Sequence, residues 1–137
     1  MNKHLLLCAA GMLLLHGAAH AKLTKVASNG TTGVDVYVDP GFEQLNKARG
    51  LLRVNLVSTH SKDLEDGRKK GTRTAVTALL DCKDKTLAIE KLIKFSANGA
   101  VETSIVYPPE RIRTDKLSEG TLMWTMQDVV CSIASAE

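Results

Sequence analysis

Aromatic side chains are scarce in this sequence of 137 residues: two phenylalanines, two tyrosines and one tryptophan make up 4%. A lone tryptophan such as Trp124, set among apolar residues, is expected in a core rather than as a ligand platform. Histidine is scarcer still, because His4, His16 and His20 all precede Ala21 and leave only His60 for the rest of the chain. A Ser-His-Asp triad needs an imidazole to shuttle the proton and a buried acid to orient it. His60 ends a strand-like run beside a charged loop, so it is expected at the surface. Zinc needs three or four ligands at close spacing, which one histidine and two distant cysteines do not supply. There is no C-x-x-C pair and no glycine-rich phosphate loop. Asp35 and Asp39 share a strand face like a carboxylate pair, but outward acids on a strand ordinarily serve solubility. The sequence therefore predicts a non-enzyme, with no catalytic residue, no metal and no cofactor.

The first 21 residues have the build of a secretory signal. Lys3 charges the start, residues 5–15 are apolar, and Ala19-His20-Ala21 places small side chains for signal peptidase. A membrane span needs about 20 apolar residues, and His16, Gly17 and His20 end this run too early, so no transmembrane anchor is expected. Cys8 follows bulky Leu7 with only seven residues ahead of it, which does not fit a lipid-modified cysteine. Cleavage after Ala21 would leave residues 22–137 as one exported domain, in the periplasm or at the cell surface. That part retains 17 of the 18 basic residues and all 15 acidic ones, a net charge of 17 − 15 = +2. So small a charge does not argue for nucleic acid. Two cysteines remain, Cys82 and Cys131, and an even count in an exported protein predicts one disulfide.

Strand patterns fill most of the chain. Residues 22–26 alternate briefly, and residues 28–33 carry the Asn and Gly of a turn. Residues 34–39 place Val34, Val36 and Val38 on one face before Pro40-Gly41 ends the run. Residues 42–50 form a mixed connector with room for a turn of helix. Leu52, Val54 and Leu56 share a face, as do Val76, Ala78, Leu80 and Cys82; the polar stretch 61–73 between them predicts a long solvated hairpin loop. Residues 86–96 admit a helix or a strand; the strand reading, with Lys91 as its one violation, is adopted. Asn98-Gly99 then marks a hairpin into the alternating run 101–107, which Pro108-Pro109 stops. Residues 121–133 are different in kind, with Met123, Met126, Val130 and Cys131 on one helical arc. The fold class predicted is α+β: an antiparallel sheet of about five to six strands with a C-terminal helix packed on one face. Strand parity and helical arc point Cys82 and Cys131 into one apolar layer.

Basic residues gather twice, at Arg68, Lys69, Lys70 and Arg73, and at Arg111, Arg113 and Lys116. These are candidate contacts for an acidic macromolecule or glycan. The competing reading of the first group is a solvated zwitterionic loop, because Asp63, Glu65 and Asp66 precede it.

Taken in order, Val36-Tyr37-Val38-Asp39-Pro40, the strand around Leu52-Arg53-Val54-Asn55-Leu56, Leu79-Leu80-Asp81-Cys82, the Gly99 hairpin and the closing Val129-Val130-Cys131 resemble the surface-adhesin protein E family. The resemblance runs from about Leu23 to Cys131. It implies an antiparallel sheet with a C-terminal helix tethered by a disulfide, and adhesion to host extracellular-matrix or serum proteins. A lipid-anchoring cysteine and a tryptophan near Leu23, found in relatives, are missing here. The alternative function is a periplasmic small-ligand or inhibitor module, with an apolar ligand held between helix and sheet. A homodimer is compatible with either.

Overall fold

The computed structural model describes residues 22–136; the signal peptide expected over residues 1–21, Cys8 included, lies outside the described residues. Eight strands, β1 (Thr24–Asn29), β2 (Val34–Val38), β3 (Glu43–Asn46), β4 (Leu51–His60), β5 (Arg73–Asp81), β6 (Thr86–Phe95), β7 (Val101–Val106) and β8 (Thr114–Lys116), precede one helix, α1 (Leu122–Ser135). Every strand pairing is antiparallel. The order is β1-β2-β4-β5-β6-β7, with β3 on β4 and β8 on β6.

Eight strands make six columns, and proline explains the difference. Val38 pairs with Leu56 and Glu43 with Arg53, so β2 and β3 lie along the same side of β4. Pro40, which has no N–H to give a ladder, separates them. On β6 the ladder runs through Val106–Lys91 and the Tyr107 N–H to the Glu90 carbonyl at 2.9 Å, then resumes at Thr114–Ala88. Pro108 and Pro109 open the gap, and a 3-10 turn at Pro109–Arg111 fills it. The connector expected over residues 42–50 thus contains a strand, not a helical turn. Its sequence, Glu-Gln-Leu-Asn, is exposed throughout; backbone pairing holds it, so it leaves no hydrophobic period to read.

The strand reading of residues 86–96 holds, and a bulge resolves its violation. Ala78 pairs with Ile89 but Thr77 pairs with Lys91, which leaves Glu90 as an extra residue. One inserted residue exchanges the two faces of a strand. Leu87 and Ile89 therefore share the helix-side face with Leu92 and Lys94, while Lys91, Ile93 and Phe95 turn outward. The displaced Glu90 accepts from Arg53 Nε at 2.9 Å, and Arg53 also reaches Glu43 at 2.8 Å. These bonds, to Glu90 first and then Glu43, raise the Arg53 pKa further above its ordinary value.

The core lies between α1 and the first four columns. Val36, Val38, Leu52, Val54, Leu56, Ala78 and Leu80 face Met126, Val130 and Ala134. Thr121 caps the helix by accepting the Trp124 N–H at 3.2 Å. Met126 and Val130 have no exposed surface, whereas Met123 and Cys131 pack at the margin of the core. Gln127 is also fully buried and gives its Nε2 to Asp128 at 2.8 Å. The Cys82–Cys131 disulfide ties helix to sheet across 5.8 Å between Cα atoms.

The seat of that bridge is built by the turn before β4. Cys82 donates its N–H to the Gly50 carbonyl at 3.0 Å. Gly50 has φ +67°, and a Cβ there would stand 2.8 Å from Cys82 Cβ. Both the backbone region and the close approach require glycine. Arg49 then joins Asp81 and Asp84 at 2.7 Å each. Burial favours the neutral acid at Asp81. The Asp84 N–H, the Arg49 guanidinium and the Lys83 N–H together outweigh it, and the pKa falls below the ordinary carboxylate value.

Candidate functional site

His60 is not at the surface as expected; it is only 2% exposed. It continues the even-numbered face of Leu52, Val54 and Leu56, and that parity was the signal that placed it inside. Among the described residues neither ring nitrogen has a hydrogen-bond partner. Burial, followed by the positive charge of Arg68, lowers its pKa, with Asp66 opposing. An imidazole so enclosed, with no acid bonded to it, is not arranged as a proton shuttle. Asp35 and Asp39 are likewise engaged separately: Ser28 donates to Asp35, and Asp39 accepts the Gly41 N–H at 2.9 Å. Among the described residues no three or more His, Cys, Asp or Glu side chains gather as a metal group.

The loop at 61–72 carries Arg68, Lys69 and Lys70 of the first basic cluster, and Arg73 begins β5. The loop is largely exposed, and its charges order it from within. Asp66 accepts from Arg68 Nε at 2.8 Å and from the Arg68 N–H at 3.1 Å. The pKa of Asp66 is lowered by these bonds, the side-chain one first. Lys69 lies 3.8 Å from Asp63, whose Oδ1 accepts the Lys70 N–H at 2.9 Å. This agrees with the zwitterionic reading of the loop.

Folding nonetheless brings three of these residues to a common hollow of about 280 Å³. Arg68, Lys69 and Arg73 line it together with Lys94, Thr74 and Glu102. Lys70 is not among its lining residues. Arg73 lies 5.5 Å over the Phe95 ring. Lys94 pairs with Thr74 across the ladder and enters no ion pair among the described residues. Sequence reasoning missed Lys94, because it stands alone in a strand run and belongs to neither basic cluster of the sequence.

The second basic cluster lies apart from the first. Arg111 and Arg113 line another hollow beside Ile105, Val106 and Tyr107. Lys116 pairs with Thr86, at the opposite end of β6 from the Arg73–Phe95 pair. Nine residues at about 3.3 Å each separate the two rows by roughly 30 Å. All three basic side chains are exposed and outside every ion pair among the described residues. Among the described residues no helix is long and apolar enough to cross a membrane. Searches against protein families, curated proteins and solved structures found no match for this chain.

Proposed function

We propose that this chain is a non-enzymatic binding module, exported from the cytoplasm, that contacts an acidic macromolecule in the manner of the adhesin E family it resembles. Extracellular-matrix and serum proteins are the partner class that resemblance implies. The observation carrying the reading is the hollow beside the 61–72 loop. Four cations, Arg68, Lys69, Arg73 and Lys94, surround it against two acids, Asp66 and Glu102. Charges this close together act in concert within a Debye length of about 8 Å, so a local excess matters although the net charge is small. The alternative, an apolar ligand between helix and sheet, has less support. Met126, Gln127 and Val130 fill that layer with no exposed surface.

Arg73 and Lys94 are the residues to change, because Arg68 and Lys69 also hold the loop through Asp66 and Asp63. In a solid-phase panel of matrix and serum proteins, the Arg73→Glu/Lys94→Glu variant should lose affinity by about tenfold or more, the equivalent of 1.4 kcal/mol. Lys116→Glu, at the other end of the sheet, should bind as the unaltered protein does. Equal loss in both variants, or in neither, would remove the hollow from the account.

A further inference from the structure

We infer that the open edge of β7 takes up an extended strand of another polypeptide, with an acidic group of that strand held by Arg111 and Arg113. β7 ends the strand order, and among the described residues its only strand partner is β6. Its apolar side chains face solvent: Val106 is 71% exposed and Val101 59%. The Tyr107 N–H points to β6, donating to the Glu90 carbonyl at 2.9 Å. Polar groups alternate in direction along an antiparallel strand, so Ile105 and Thr103 also face β6. Ser104 and Val106 then turn their N–H and C=O groups outward. An edge with outward donors and acceptors and exposed aliphatics recruits strands.

The hollow next to this edge states the chemistry of the partner. Ile105, Val106, Tyr107 and Pro108 form an apolar wall, and Arg111 and Arg113 stand beside it. Glu110 is the one acid there, so positive charge exceeds negative. A strand pairing with Ser104 and Val106 would lay an aliphatic side chain against Val106 and carry an acid to the arginines. The rest of the sheet is antiparallel, and antiparallel pairs are slightly the more stable per residue. In that direction the acid precedes the aliphatic residues in the partner.

A second copy of β7 is a poorer occupant. Centred on Ser104, self-pairing would set Val106 opposite Glu102 of the other copy. Glu102 is the extra residue of a bulge, between the Thr103–Lys94 and Val101–Phe95 pairs. A bulge with a charge disrupts the ladder that such pairing needs. A foreign strand paired along Ser104 and Val106 brings no bulge of its own and stops short of Glu102. This surface is distinct from the hollow beside the 61–72 loop and does not depend on it.

The test is a titration of the full protein, followed by backbone amide NMR, with a synthetic Asp-Asp-Thr-Val-Thr-Val peptide. Shifts centred on Ser104 and Val106, with slowed exchange of their amides, are expected. Arg111→Glu/Arg113→Glu should weaken binding about tenfold, and a Lys-Lys-Thr-Val-Thr-Val peptide should bind the unaltered protein no better than that variant binds the acidic one. Ser104→Pro should abolish binding while the dispersed spectrum persists, since proline is tolerated on an open edge. Shifts centred elsewhere, no shifts, or equal binding of the two peptides would overturn the inference. Concentration-dependent shifts at β7 without peptide would overturn it too, and assign the edge to a second copy.

Discussion

At the scale of single residues, His60 makes stability depend on pH. Its ordinary pKa is about 6.5, and burial, with Arg68, lowers it in the folded chain. The unfolded chain therefore binds the proton more readily. Stability is fully present above the ordinary histidine range and declines as pH falls through it, down to the lowered folded value. The depressed Asp81 acts in a lower window, its contribution lost only as pH falls through the carboxylate range. Thermal melts should thus fall between about pH 7.5 and about pH 5. His60→Leu should flatten that dependence, and at neutral pH should not destabilise, because an unpartnered buried polar group costs about 1–3 kcal/mol. An unchanged pH slope in the variant would show that His60 is not its source.

At the scale of elements, the disulfide decides whether α1 stays on the sheet. The bridge closes a separation of 49 residues, which removes unfolded-state entropy worth about 4 kcal/mol in the chain-entropy model. Cys131→Ser should lower the melting temperature by more than about 10 °C, and reductant should do the same to the unaltered protein but not to the variant. A melt indifferent to reductant would contradict the bridge. The elements that burial creates were legible beforehand. Val54, Ala78 and Met126 announce their faces by period, and with them the six columns, the helix and the two cysteines of the bridge. Elements made by backbone pairing were not: β3 and β8 are short, exposed and without a hydrophobic period. The bulge at Glu90 showed only as a misplaced Lys91. Lys94 also went unseen, because it is a lone cation within a strand run and meets Arg73 at the hollow only through the pairing of β6 with β5. His60 was misplaced for another reason, because the charged loop after it outweighed the even parity that continued to it.

At the scale of the whole molecule, charge is distributed rather than abundant. Basic residues exceed acidic ones by 18 to 15 over the full sequence, yet four cations surround one hollow and three more, Arg111, Arg113 and Lys116, lie apart from it. The loop's own acids fix Arg68 and Lys69 in place, which leaves Arg73 and Lys94 as the cations most able to meet a partner. Such contacts are exposed to solvent, and salt should weaken them. The most direct measurement is the affinity of the protein for a matrix or serum partner at low and at high ionic strength, alongside Arg73→Glu/Lys94→Glu. The account predicts that affinity falls steeply with salt in the unaltered protein, and that the variant is both weaker and less sensitive to salt. Affinity that ignores salt and both substitutions would contradict it.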